Sequence, residues 1–528
     1  MAKTPSKDLF YLIHSLTSSE KRYISVSLSK ESRGGKNIHL TLFEQINKQE
    51  TYDENKLTKL KELDFGKNLT SRKGYLFALI LKKLDAFHMD SDEGENIIFR
   101  YIQHAKILLS KSLLKACMNY LAKAEALAEE REELHLLILV YQVKKRAAKL
   151  LYPSFKEYNE YVNEVIAAEN DLVDKIKSLH HYVYLYSRLK IILTQSGGNV
   201  LGEKEQEELD SIITPENFDS EDKATTLLAK IAYQNSLAIY EFWVKKDIGA
   251  AFVHFHQIFQ YIEQIPNYVQ NNIHAYLFNV SKYIYCAYIL KKGKMAQPAY
   301  EQLKSLFYST DFDNHLLIKG HIFRYYINIE MLILYQLKDF QGIHKIIPVI
   351  DKEFPKYRKV IDQEPAMVLM ANAGIILMIA GDYKKALKWL LAVIDMKATT
   401  RKDITDVSRF QLLICLYEMD DVSLFESYLR SFRRHYNNRK GHFDFEKELL
   451  NRFKLLFLKK HESDQILPLF IDAAKFMAQH MLSEKSKQNF DIKELAYWAA
   501  TKIKNMDFET IMATYQPKEI YEELVEKY

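Results

Sequence analysis

An apolar run, Ile375 to Ala380, stops at Gly381-Asp382-Tyr383, and an alternately apolar and basic run resumes at once as far as Ile394. Stops of this kind are scarce in the chain, and that scarcity constrains its fold more than any other feature. Gly supplies 15 of 528 residues and Pro 10, about 3% and 2% against averages near 7% and 5%. These two residues provide the tight turns that β-hairpins, barrels and βα loops use in quantity. A chain that turns so seldom is predicted to be all-α, with long helices joined by short connections. A sandwich, barrel or doubly wound sheet does not fit, and the length exceeds what one compact core can hold.

The surroundings of Gly381 recur. Ala386, Leu390 and Val393 continue a helical stripe after the turn, Gly374 stands seven residues before it, and Glu364-Pro365 marks the start of the preceding helix, since Pro suits a first helical turn. Weaker copies read "VKKDIGAAF", "LKKGKMAQPAY", "YQLKDFQGI", "YEMDDVSLF" and "LLSKSLLKAC". With Lys246, Gly293, Lys338, Gly381 and Asp420 as equivalent turn positions, the steps are 47, 45, 43 and 39 residues. The unit carried by Gly374, Gly381, Tyr383 and Ala386 resembles a tetratricopeptide hairpin. That family repeats at about 34 residues, whereas other two-helix solenoids run at about 40–47. The resemblance implies a degenerate tetratricopeptide-like α-solenoid over residues 96–480.

The flanks read differently. Residues 1–95 are expected to form a small helical N-terminal domain or cap. It contains a capping-box pattern from Thr17 to Glu20, a Gly34-Gly35 loop, an amphipathic helix over "NLTSRKGYLFALILKKLDAFH" and an acidic boundary from Met89 to Asn96. A polar stretch near 194–223 is expected to be a surface loop with a short helix that interrupts the array. Residues 481–528 are expected to form a helical C-terminal cap with the polar outer face that solenoid ends need.

No motif for catalysis is found. No Gly-Lys pair has the upstream Gly of a phosphate loop, no C-x-x-C occurs, and "HESDQ" has Gln465 where a second metal-binding imidazole would stand. His254 and His256 are two residues apart and diverge around a helix. Cys117, Cys286 and Cys415 are sparse and odd in number, which suits a reducing compartment rather than a disulfide framework. No signal-like or membrane-spanning run is present, so a soluble cytoplasmic protein is expected, without cofactor or metal and not an enzyme. The formal net charge of +5 gives no bulk attraction for nucleic acid.

Two features suggest binding. Basic stretches lie at 56–83 and 430–460, the second with Arg430, Arg433 and Arg434 on one helical face and Arg439 and Lys440 beyond it. The chain also holds 35 Tyr and 29 Phe. Aligning Lys246 and Lys338 with Gly381 puts Tyr233, Tyr240, Trp243, Tyr325, Asn328 and Tyr335 on the first-helix face. In tetratricopeptide arrays the resemblance makes that face the concave groove, and tyrosine offers contact area at low entropy cost. The expectation is a protein–protein interaction scaffold or adaptor that holds a partner's peptide or helix in its groove. The alternative is an RNA- or ribonucleoprotein-binding helical-repeat protein that uses the two basic stretches.

Overall fold

The computed structural model describes residues 7–30, 37–58, 68–89, 94–195, 203–310, 312–313, 315–396, 401–438, 443–482, 492–516, 519–520 and 522–523. Within them every regular element is helical. The Gly34-Gly35 loop, Arg439 and Lys440 lie outside the described residues.

Helices α1 (Asp8–Ser15), α2 (Ser18–Lys30), α3 (Ile38–Asn47), α4 (Glu54–Thr58) and α5 (Leu69–Met89) enclose a core of their own around Ile13, Ile24, Leu42, Phe43, Leu76 and Ile80. The capping box at the start of α2 closes in both directions. Thr17 N–H donates to Glu20 Oε2 (2.7 Å) and Glu20 N–H donates to Thr17 Oγ1 (3.1 Å). Next come α6 (Gly94–Ser110), α7 (Leu114–Glu130) and α8 (Leu134–Leu151), followed by α9 (Phe155–Gln195). The 41 residues of α9 span two cores. Val165 and Leu172 pack with α6 to α8, while Tyr182, Leu185 and Leu189 pack with a second set drawn from residues 209–239. The stretch expected as a surface loop with a short helix holds more helix than that among its described residues: α10 (Glu203–Ile212) and α11 (Pro215–Phe218) are followed by a short 3₁₀ turn at Glu221–Lys223. Leu209 and Ile212 recur one turn apart, and their burial docks α10 on α9.

The remaining helices are α12 (Leu227–Ile239), α13 (Ile248–Ile262), the short α14 (Tyr268–Asn271), α15 (Ile273–Ile289), α16 (Gly293–Tyr308), α17 (Leu316–Leu337), α18 (Phe340–Tyr357), α19 (Gln363–Ile379), α20 (Tyr383–Ile394), α21 (Lys402–Glu418), α22 (Val422–Asn438), α23 (Asp444–Leu458), α24 (Ser463–Leu482), α25 (Lys493–Lys504) and α26 (Phe508–Thr514). From α15 to α22 two kinds of helix alternate. α16, α18, α20 and α22 each bury one stripe, as α22 does with Phe425, Leu429, Phe432 and Tyr436. α15, α17, α19 and α21 are buried around most of their circumference and pack on one another as well as on their hairpin partners. These four therefore form an inner layer, and the single-stripe helices lie outside it.

One turn grammar joins these hairpins. Lys246, Lys291, Lys338 and Asp420 take left-handed backbone conformations (φ 55–58°), as does Gly381 (φ 74°). The next amide reaches back five residues, from Lys292 to Ala287, Asp339 to Leu334, Asp382 to Leu377 and Asp421 to Leu416, at 2.7–3.1 Å. That is a Schellman end, which satisfies carbonyls the helix leaves open. Asp247, Asp339, Asp382 and Asp421 then cap the following helix by accepting the amides of Ala250, Gly342, Lys385 and Leu424 at 2.9–3.1 Å. Lys291, not Gly293, is the turn residue of its hairpin; Gly293 opens α16. Gly374 lets two helices approach closely, since a Cβ there would lie 2.8 Å from Leu390 Cδ2.

Before Lys246 the pattern slips. Residues Tyr240–Lys245 form a π-helical turn, and the Asp247 amide reaches back six residues, to Glu241. One inserted residue rotates the preceding helix by about 100° relative to the turn. At the other end of the chain, α25 departs from the expected polar-faced cap: Glu494 to Thr501 are all buried. Tyr497, Trp498 and their neighbours are covered by α21, α24 and α26. Trp498 Nε1 and Lys502 Nζ both donate to Glu418 of α21, at 2.6 and 2.7 Å.

Candidate functional site

The inner faces of α15, α17 and α19 border a cleft of about 490 Å³, which Trp243 and, from α25, Lys493 and Glu494 also line. Its walls are mainly apolar, supplied by Phe278, Ile289, Leu332, Val368 and Ile375. Four of the six expected groove residues are here: Trp243, Tyr325, Asn328 and Tyr335. Tyr335 OH donates to Glu494 Oε1 (3.1 Å), which ties α17 to the C-terminal helices. Lys493 Nζ lies 5.2 Å from the centre of the Tyr335 ring.

Tyr233 and Tyr240 are not in the cleft, which corrects the alignment made from the sequence. Tyr233 is core. It packs edge-on to Tyr182 and donates from its hydroxyl to the Phe218 carbonyl (3.1 Å), because α9 and α11 cover this face of α12. Tyr240 begins the π turn, and its ring carries Lys245 Nζ at 5.3 Å. The inserted residue breaks the register on which the alignment with Lys338 and Gly381 depended.

The cleft's polar groups come largely from residues that the sequence did not single out. Lys282, on α15, is half-buried, and its Nζ lies 4.4 Å from the Phe242 ring centre, 4.9 Å from Trp243 and 5.7 Å from Tyr285. Burial pushes its pKa down to about 8, and the nearby Arg401 guanidinium acts in the same direction. Arg324, on α17, stacks its guanidinium over Tyr325 at 4.3 Å, and its Nε is buried without a hydrogen-bond partner. Among the described residues no carboxylate pairs with Lys282 or Arg324. Asn372 Nδ2 donates to Asn328 Oδ1 (3.0 Å), and Asn328 Nδ2 donates to the Arg324 carbonyl (2.9 Å), a short amide chain from α19 to α17. A signal for these residues was present. Lys282, Asn372 and Gln411 each stand nine residues before a turn residue (Lys291, Gly381, Asp420), and Asn328 stands ten before Lys338.

The second basic stretch is laced with partners. Arg430 approaches Glu426 at 3.9 Å, Arg433 donates to Asn451, Arg452 pairs with Glu448 and with Asp472 (2.9 Å), and Lys459 and Lys460 pair with Glu462 and Asp420. Arg434 borders a shallow exposed hollow with Ser431, His435 and Asn438. In the first stretch Lys73 is buried, bound to Tyr52 OH (2.8 Å) and Glu54 (3.2 Å). The two histidines that diverge in sequence also diverge in partners: His254 Nδ1 contacts Gln234 Oε1 (2.6 Å) and His256 Nδ1 contacts Tyr283 OH (2.9 Å). Among the described residues no group of three His, Cys, Asp or Glu could hold a metal ion, and no helix is long and apolar enough to cross a membrane.

No family model matches the chain, nor does any curated protein or solved structure.

Proposed function

We propose that the chain is a tetratricopeptide-like helical-repeat scaffold, not an enzyme, that holds a segment of a protein partner in the cleft bordered by α15, α17 and α19. The observation that carries this reading is the cleft itself, in which three successive inner helices present an apolar floor with a few convergent polar groups. Concave, mostly apolar surfaces of this size with sparse polar contacts are the usual form of a binding site. Support for the repeat comes from the left-handed turn that recurs at Lys246, Lys291, Lys338, Gly381 and Asp420, spaced 45, 47, 43 and 39 residues, and from the aspartate cap that follows all of them but Lys291. The spacing is that of the looser two-helix solenoids, which act by display and capture over extended surfaces. The alternative, RNA binding through the basic stretches, has less support, because most of the described cations there already have carboxylate or amide partners.

The test is site-directed photo-crosslinking in the native cell. Benzoylphenylalanine in place of Leu332, on the cleft wall, is expected to give a discrete protein adduct that survives nuclease. The same group in place of Val253, an exposed position elsewhere, is expected to give none. Equal labelling from both positions, or an adduct that nuclease removes, overturns the reading.

A further inference from the structure

Lys282 stands on the cleft wall in surroundings that hold its proton poorly. Its Nζ lies against the rings of Phe242, Trp243 and Tyr285 at 4.4–5.7 Å. Phe242 and Trp243 are consecutive residues of the π turn, a feature that proteins often keep at functional sites. Ring faces attract an ammonium, but by less than a carboxylate does. Glu494, the one carboxylate that lines the cleft, accepts from Tyr335 OH (3.1 Å) and lies 3.9 Å from Lys493 Nζ. Asp403 is held by Arg401 in a bidentate pair at 3.1 and 2.8 Å. The other cations nearby sit on rings of their own or share one: Arg324 on Tyr325, Lys493 on Tyr335, and Lys246 on Trp243 at 5.8 Å.

Burial is what most disfavours the ammonium. Cys286, one turn along the same helix, would favour it as a thiolate, but burial pushes that thiol up to about 12 and leaves it neutral. Arg401 disfavours the ammonium further. The amine therefore gives up its proton near pH 8. At pH 7.5 about a quarter of it is free base, against roughly one part in a thousand for an ordinary lysine. A desolvated lysine of this kind is the form that serves proteins as a nucleophile. Nor is the nitrogen sealed: Lys282 is half-buried, and the space beside it is lined by Phe278, Ile289 and Leu332. A short acyl chain suits those walls, and the amide it would form has no charge to desolvate.

We propose that Lys282 is an acylation site, modified by a small thioester whose acyl group enters the cleft. The lone pair of the free Nζ attacks the thioester carbonyl carbon. A C–N bond forms as the C–S bond breaks, and the proton lost by nitrogen leaves with the thiolate as thiol. The product amide is neutral, so the modification exchanges a cation on the cleft wall for an apolar group. The chemistry is the same whichever partner the cleft receives.

The test treats the full chain with S-acetyl-N-acetylcysteamine, a neutral thioester, at pH values from about 6.5 to 10.5. Peptide mass spectrometry reads the acetylation rate of each lysine. Lower basicity and partial cover take back much of the free-base advantage, and at pH 7.5 Lys282 is expected to react at least fivefold faster than Lys384 and Lys388, which are exposed on α20. Its rate is expected to level off above about pH 8.5, while theirs climb through pH 10. Nε-acetyllysine placed at position 282 by codon reassignment is expected to raise the urea midpoint at pH 7 above that of the wild type. A Lys282 rate no higher than that of Lys384 at pH 7.5, or one that still climbs through pH 10, overturns the proposal. So does a lower urea midpoint for the acetylated protein, which would show that the cleft does not accept the acyl group.

Discussion

Replacing Lys282 by Met is expected to stabilise the protein, and the size of the gain follows from the cleft. Burial lowers the Lys282 pKa from 10.5 to about 8. At 1.36 kcal/mol for each tenfold change, holding the ammonium in its charged form costs about 3 kcal/mol at neutral pH. The aromatic cage returns about 0.5–2 kcal/mol of that. Methionine has a similar stem, suits an irregular apolar gap and carries no charge to desolvate. The expected gain is about 1–2 kcal/mol at pH 7. Because the folded pKa lies below the unfolded one, the wild-type penalty is complete below about pH 8. Between about pH 8 and 10.5 the native state sheds a proton that the unfolded chain keeps, so wild-type stability rises through that window. Most of the variant's advantage should therefore be gone by pH 10. Urea midpoints at pH 7 and pH 10 measure the difference, and hydrogen exchange at pH 7 localises it, with α15 amides protected roughly 5–30-fold more strongly in the variant. A variant less stable than wild type at pH 7, or an advantage that persists unchanged at pH 10, would show that the ammonium is already compensated within the protein.

Three further outcomes follow from the turns, the C-terminal helices and the thiols. Gly381→Lys should cost about 1 kcal/mol in thermal or urea unfolding and Lys291→Gly should gain up to about 1 kcal/mol, since both positions need the left-handed backbone that glycine adopts freely. Equal signs for the two would contradict the turn assignment. Glu418→Ala removes the acceptor of Trp498 Nε1 and the partner of Lys502. A loss of about 2–3 kcal/mol in the docking of α25 is expected, seen as faster proteolysis and faster hydrogen exchange over α25 and α26 than over α15. Burial pushes the Cys286 thiol up to about 12 and the Cys415 thiol well above the usual range. Neither should be alkylated by iodoacetamide at pH 8 in the native protein, and mass spectrometry that finds prompt modification of either would contradict their burial.

The sequence by itself determined that this protein is all-α. Too few glycines and prolines exist to turn a sheet, and the 3.6-residue stripes of helices such as α22 are visible in their own windows. It also determined the turn at Gly381 and the close approach at Gly374, because a positive φ and a missing Cβ are local demands that name their residue. The turns at Lys246, Lys338 and Asp420 were legible through the aspartate that follows each, whereas Gly293 attracted attention that belonged to Lys291, since a lysine in the left-handed region leaves no compositional mark. Only the tertiary structure decided the site. Trp243, Tyr325, Asn328 and Tyr335 reach the cleft as their register implies. Tyr233 does not, because Tyr182 of α9, 51 residues earlier, and Phe218 of α11 cover its face. The π turn at Tyr240–Lys245 shifts register by one residue for reasons no stripe reports. The burial of α25 beneath α21 and α24 and the convergence of Lys282 with Arg324 are likewise products of packing. A pattern along a helix says which face is apolar, but which elements cover that face, and which charges are left without partners, is settled only when distant segments meet.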